Sequence, residues 1–438
     1  MRSDAARSLL LVVLGVASCE DAPTAGIPTF ADGGLLRAGA ALTRAQLETF
    51  EGMFAVADGR DLLGSEIALR TSPGTVSLLT NESAGFSVLG AACLPDRRVV
   101  LEGYWQYPTR AEGGLVRLFV EPAELALALC RGEMPKAPAG LRLSGSYGEE
   151  DDVPAAPLTL SWTRELKPWR GRFFTVAHHG ACEITDHCGA TPNSLESIRL
   201  AERTGSNAAE VDVRVTRDGV PILFHDPALS AALVKGVFCN GNVADLSLAD
   251  IRGSCALRYG ETIPTLEEGL DMMVAETELE GVYLDVKVPD AVLPSARLAA
   301  RTLARVAQGG ERRFQILVAI PTTDVLDAWR AAKPALAAEG LAVPPCLVEF
   351  DPDLVLSEGC VAWGPTWTNG PRVHDVERVK AAGAGVVFWT INQSEFVDAF
   401  LTMAKPNGII TSRAALVFHR YQSIGTPPTA REEDGGAP

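Results

Sequence analysis

The sequence predicts an α/β fold, a (β/α)8 barrel of the TIM type over residues 167–424, preceded by a small all-β barrel or sandwich over residues 41–166. Three observations predict it. From about residue 168, eight short apolar strands alternate with amphipathic helical stretches. Before that point the hydrophobic pattern is mostly period two, which suits half-buried antiparallel strands. The chain has 438 residues, more than a single hydrophobic core usually supports.

The N-terminus is not fold material. Arg2 and Arg7 precede the apolar run Leu9 to Val16, then Ala17, Ser18 and Cys19. The run is short for a bilayer span and reads as a signal peptide over residues 1–18. Val-Ala-Ser-Cys resembles the bacterial lipoprotein cleavage box, so the mature chain is expected to begin at a lipidated Cys19. Residues 19–40, rich in Gly, Ala, Pro and Thr, read as a tether, and residues 425–438 as a flexible tail. The expected location is exported and membrane-anchored, on the periplasmic or cell-surface side. Net charge is −16 without a basic cluster, which argues against nucleic acid as a partner.

Apart from Cys19, eight of the nine cysteines remain, and an even number in an oxidising compartment suggests disulfides. Pairing of sequence neighbours is expected: 93–130, 182–188, 239–255 and 346–360. A zinc site from Cys182, His187 and Cys188 is the alternative, although it lacks an obvious fourth ligand.

In the β-rich segment, strand candidates include TVSLLT, RRVVLEGYW, GLVRLFV and LTLSW. A motif recurs: Phe50-Glu-Gly-Met-Phe54, Leu101-Glu-Gly-Tyr-Trp105 and Leu143-Ser-Gly-Ser-Tyr147. Glycine there permits a sharp bend or close backbone approach. The aromatic residues read as core rather than as a ligand cavity. The acidic stretch Glu149 to Pro157 falls before the last strand or inside the final hairpin.

The barrel strands are FFTVA, NAAEVDV, GVYLDVK, RFQILVAI, CLVEF, VAWGP, GVVFWT and GIIT. SLESIRLAERTG, TLEEGLDMMVAE and PSARLAARTLARVAQ lie between strands as helices. In such a barrel the chemistry belongs at the C-terminal strand ends, where His178, Glu210, Asp212, His225 and Asp285 fall. Glu210 and Asp212 are two apart on a strand, so both carboxylates point to one face. Like charges that close need a cation between them or a shared proton. A metal flanked by two histidines is the minimum equipment for phosphodiester cleavage by general acid–base catalysis.

Residues 173–418 resemble the glycerophosphodiester phosphodiesterases. The resemblance rests on AHHG at 177–180, NSLESI at 193–198, EVDVRVTRDGVPILFHD at 210–226, IPTLEE at 263–268, LDVK at 284–287, WTIN at 389–392 and GIITS at 408–412. It implies that His178 and His225 are the catalytic histidines and that Glu210, Asp212 and Asp285 bind one metal. It also implies that Lys287 lies near metal and phosphate. An oxygen-only donor set favours Mg²⁺ or Ca²⁺. His179, Trp389 and Asn392 are expected to contact or line the substrate, and Glu267 to cap or orient a helix entrance. His187, His374 and His419 read as solvated or locally bonded.

Three departures stand out. His179 replaces the family's usual arginine, which contacts phosphate in a bidentate way that histidine cannot reproduce. Pro192 stands where Glu is usual, and Ser412 where Asp is common. The expected function is metal-dependent hydrolysis of glycerophosphodiesters, or of related lysophospholipids, by two histidines. The alternatives are a phospholipase D-like enzyme on membrane lipids and a non-catalytic ligand-binding lipoprotein.

Overall fold

The computed structural model describes residues 27–425 other than 137 and 311. The expected signal peptide, Cys19 and most of the tether lie outside the described residues, as does nearly all of the tail.

Eight antiparallel strands run from Gly52–Asp58 to Ala156–Arg164, each paired with the next in sequence. The first pairs with the last, which closes an up-and-down barrel and leaves the sandwich alternative aside. Glycine explains part of the closure. A Cβ at Gly103 would lie 1.9 Å from the Val88 carbonyl oxygen, and one at Gly145 would lie 2.0 Å from that of Arg117. The recurring motif therefore marks close strand approach. Phe50, Phe54, Leu101, Trp105 and Leu143 join one buried cluster, so the aromatic residues are core. The acidic stretch lies inside the final hairpin, between Arg142–Tyr147 and Ala156–Arg164.

The second sheet is the parallel barrel. Its eight strands are Phe174–Ala177, Ala208–Val215, Gly281–Val286, Gln315–Ile320, Cys346–Val348, Ala362–Trp363, Gly385–Phe388 and Gly408–Thr411. The last strand pairs with the first and closes the ring. All eight coincide with the apolar runs of the sequence. Helices pack outside through residues such as Ile198, Leu270, Ala296 and Trp329, which share a buried cluster with the strands. The cap of the helix Leu266–Glu276 is Thr265 with Glu268 as its partner, not Glu267, because the capping-box acid sits three residues after the cap.

The two barrels share an apolar contact made by Met53, Leu79, Phe86, Trp169, Leu200 and Phe418. Arg70 lies over the Trp169 ring at 4.2 Å. His419 is buried in this seam, with Nε2 3.0 Å from the Glu66 carbonyl oxygen. The β barrel also reaches a loop beside the first parallel strand: His187 N–H donates to Pro108 O at 3.0 Å. Four disulfides join 93–130, 182–188, 239–255 and 346–360, the neighbour pairing expected. The zinc alternative falls, since Cys182 and Cys188 are bonded to each other.

Candidate active site

Glu210 and Asp212 share one face of the strand Ala208–Val215, as the period of two requires. The neighbouring strand pairs in a register that sets Asp285 opposite Asp212. One oxygen from each of Glu210, Asp212 and Asp285 lies within 4.8 Å of the others. Lys287 follows on the same strand line, and its Nζ is 2.8 Å from Asp212 Oδ1 and in contact with Asp285 Oδ2.

This is three carboxylates against one ammonium in a buried place. Burial, then the Asp212 charge, pushes the Glu210 carboxyl well above its usual range. Burial also raises Asp285. Burial would raise Asp212 as well, but His179 and then Lys287 hold it at about 2. Asp285 Oδ1 is buried without a hydrogen-bond partner. Three convergent carboxylates, two of them pushed up by burial, and an orphaned carboxylate oxygen fit a divalent cation, and oxygen donors suit a hard one.

The histidines surround this cluster. His178 follows the first parallel strand, and its Nδ1 is 2.7 Å from Glu183 Oε1 and 3.2 Å from Ser412 Oγ. Burial, then the neighbouring His179, lowers its pKa. His179 has a left-handed backbone, φ 52°, which aims its N–H at Glu210 Oε2, 2.8 Å away. Its Nε2 is 3.3 Å from Asp212 Oδ2 and its Nδ1 3.6 Å from Glu183 Oε2. Burial would lower its pKa, but Asp212 and Glu183 raise it to about 9. The His178 and His179 rings stack at 3.6 Å, and the His225 ring stands 5.3 Å from that of His179.

His225 is near the site, but it does not end a barrel strand. The second parallel strand turns back through the short antiparallel strand Pro221–Leu223, and His225 lies just beyond it. Its Nδ1 is 2.8 Å from Asp226 Oδ1, and its side chain is 46 % exposed.

Trp389 lines a cleft of about 260 Å³ with His178, Glu210, Tyr283, Asp285 and Glu349. Its indole N–H donates to Gly364 O at 2.6 Å. Asn392 is engaged locally. Its Oδ1 accepts from Ser412 N at 2.9 Å and from Thr411 Oγ1 at 3.0 Å. The amide oxygen ties down the end of the last strand, so the expected substrate contact would fall to the Nδ2 amide.

Sequence reasoning missed four residues. Glu183 sits in the loop closed by Cys182–Cys188, and its N–H donates to Asp186 Oδ2 at 3.0 Å. Asp186 in turn accepts from Arg413 at 2.9 and 3.0 Å. Burial would raise the Glu183 carboxyl, but His178 and His179 hold it below the usual range. Its only sequence signal is the pair of cysteines around it. Asn193 donates to Asp212 Oδ2 at 2.6 Å and accepts from Asp212 N at 2.9 Å. It stands in the NSLESI segment and was readable there. Tyr283 donates to Glu349, and burial with the Asp285 charge raises Glu349 to about 8. Both lie on predicted strands, yet nothing local separates them from packing residues.

An eight-stranded parallel barrel with its ionisable groups gathered at the C-terminal rim is the architecture of a TIM-barrel enzyme. The profile of the glycerophosphoryl diester phosphodiesterase family matches residues 187–416, and the chain belongs to that family. It is a phosphoric diester hydrolase. It is 32 % identical over 259 residues to the Mycobacterium tuberculosis protein named "Probable glycerophosphodiester phosphodiesterase 2", covering 55 % of this chain and 90 % of that one. Human glycerophosphodiester phosphodiesterase 1 is 33 % identical over 113 residues, 24 % of this chain and 31 % of that protein. Among solved structures, an Oleispira antarctica phosphodiesterase in complex with the product sn-glycerol-3-phosphate aligns at 20 % identity and TM-score 0.43. That alignment covers 57 % of this chain and 97 % of the other.

Proposed function

We propose that this chain is a divalent-cation-dependent phosphodiesterase that hydrolyses glycerophosphodiesters to glycerol 3-phosphate and an alcohol. One observation carries the reading. Three convergent carboxylates are flanked by His178 and His225, and each imidazole has its Nδ1 on a carboxylate, Glu183 or Asp226. The names of the relatives agree with the substrate class.

Glu210, Asp212 and Asp285 would hold the cation, Mg²⁺ or Ca²⁺ by their oxygen chemistry. A bound cation offsets negative charge on phosphoryl oxygens. Lys287 adds a fixed positive charge beside it. Glu183, kept ionised, can only accept, so His178 carries its proton on Nδ1 and presents a lone pair at Nε2. Its lowered pKa keeps the ring neutral, as a general base requires. His225, also set on a carboxylate through Nδ1, would in its doubly protonated form pass the Nε2 proton to the leaving alkoxide. His179, held cationic at neutral pH, supplies a positive charge where relatives usually carry arginine. The attacking group, water or a neighbouring substrate hydroxyl, is separated by looking for a cyclic phosphate product.

The charged lining of the cleft suits a glycerophosphoryl group. Lysophospholipids, which carry the same glycerophosphoryl group with one acyl chain, are the second reading. Turnover with glycerophosphocholine, glycerophosphoethanolamine and lysophosphatidylcholine, with and without chelator, tests both readings. We expect chelator to abolish turnover and the glycerophosphodiesters to be preferred. Full activity in excess chelator would sink the metal reading.

The location proposed is outside the cytoplasm, with a lipid anchor at Cys19. Four disulfides among the described residues support an oxidising compartment. Among the described residues no helix is long and apolar enough to cross a membrane. Mass spectrometry of the purified native protein, seeking a diacylglyceryl adduct on an N-terminal Cys19, tests the anchor; an unmodified or later N-terminus would refute it.

A further inference from the structure

We infer that the rim carries a second metal site, formed by His179, His225 and Asp212, which takes a late first-row divalent ion such as Zn²⁺ and inhibits the enzyme when filled. The inference rests on the proposed proton-transfer role of His225. It concerns a different donor set from the all-oxygen cluster, with Asp212 shared between the two.

The donors already converge. One ligand atom from each of His179, Asp212 and His225 lies within 4.8 Å of the others. His179 Nε2 and Asp212 Oδ2 are 3.3 Å apart. Two donors each about 2.1 Å from a tetrahedral ion stand about 3.4 Å apart, so this edge fits with little movement. His225 is also prepared in the manner of a metal ligand. Nδ1 of His225 is on Asp226 at 2.8 Å, and Nδ1 of His179 faces Glu183 at 3.6 Å. A carboxylate on the far nitrogen fixes the tautomer and strengthens the near nitrogen as a donor. His225 is half-exposed, which leaves an entry path from solvent.

Donor chemistry separates the two sites. Three carboxylates hold Mg²⁺ or Ca²⁺ without distinguishing them strongly from other ions, whereas two imidazole nitrogens favour Zn²⁺, Cu²⁺ or Ni²⁺. The proton that His179 shares with Asp212 would be displaced by the incoming ion. Filling the site takes the His225 nitrogen out of proton transfer and displaces the positive charge that protonated His179 holds beside Asp212. Asp212 then bridges the two ions. An arginine at position 179 would keep the charge but has no lone pair to offer, so the site depends on the histidine found here.

The test uses the full chain with saturating Mg²⁺, titrated with Zn²⁺, reading bound metal by equilibrium dialysis and turnover in parallel. One further equivalent of Zn²⁺ is expected to bind, with turnover falling about tenfold or more as it fills, the scale of losing one acid–base group. Co²⁺ in its place should show two imidazole nitrogens by X-ray absorption. His179→Arg should lose this equivalent while still binding Mg²⁺, which also reports that it is folded. His225→Asn, at a half-exposed position, should lose it too. A second equivalent that persists in both variants, or none in the wild type, overturns the site; Mg²⁺-dependent turnover in that same protein would leave the proposed function standing. Zn²⁺ held by two imidazoles with unchanged turnover overturns the inhibitory assignment and, with it, the proton-transfer role of His225.

Discussion

Each barrel buries a carboxylate, and the two are treated in opposite ways. In the β barrel Glu102 is fully answered: it accepts from Leu35 N at 2.6 Å and Leu36 N at 3.1 Å, and Arg117 pairs with its other oxygen. In the parallel barrel Glu210, Asp212 and Asp285 are set against one another, and Asp285 Oδ1 has no partner. Burial of charge is tolerated where partners meet it and is kept unmet where a ligand is to complete it. The contrast is the one expected between a structural carboxylate and the proposed metal ligands.

The largest effects should fall on proton transfer beside the unmet cluster. His178→Ala and His225→Ala are each expected to lower kcat by about 10²–10⁴-fold while Mg²⁺ binding persists. The double variant should be little worse than either single one, since the two act as a unit. A near-normal kcat in His225→Ala on a glycerophosphodiester would break the two-histidine reading.

Glu210→Gln tests the unmet charge itself. The folded-state pKa of Glu210 is raised, so its contribution is unfavourable above the unfolded value near 4.5 and absent below it. Without metal, this variant should melt at a higher temperature than the wild type at pH 8 and at nearly the same temperature at pH 4. With metal the order should reverse, because the wild type gains from binding. Calorimetry with and without Mg²⁺ reads both arms; a variant less stable than the wild type in chelator would contradict the picture.

Glu183 and Glu102 sharpen the comparison. Glu183→Gln is expected to lower kcat about 10–100-fold with KM little changed, as when the carboxylate behind a working imidazole is removed. Glu102→Gln should leave kinetics alone and cost about 1–3 kcal/mol of stability, through one weakened partner of Arg117 and two backbone N–H groups. Equal kinetic effects of the two substitutions would show that the distinction is wrong.

The smallest effect lies in the seam between the barrels. Burial lowers the His419 pKa to about 4. A depressed histidine contributes full stability above its unfolded value, about 6.5, and that stability is lost as pH falls from there toward 4. The loss should be about 1 kcal/mol at pH 5.5. His419→Gln should flatten the melting temperature between pH 7 and 5 relative to the wild type; an unchanged slope would assign the acid sensitivity elsewhere.

Much of this was legible beforehand, for physical reasons. All eight parallel strands were readable because a strand covered on both faces is a near-continuous apolar run. Glu210 and Asp212 were readable as a pair because strand geometry alone puts i and i+2 on one side. The closed β barrel was only half readable, since period-two alternation is the same in a barrel and a sandwich and the decision lies in the pairing of Gly52–Asp58 with Ala156–Arg164. Asn392 was half readable: its place at a rim strand end was legible, while the use of its amide oxygen to hold Ser412 N depends on the neighbouring strand.

By itself the sequence determined the elements, the order of the two barrels and the carboxylate pair, all of which depend on local periodicity, and it favoured neighbour pairing of the cysteines without deciding it. The tertiary structure alone decided that Asp285 stands opposite Asp212 and that His179 and His225 converge on one carboxylate. Those contacts join residues from different strands and loops. Their meeting is set by strand register and barrel closure, which no local stretch of sequence encodes.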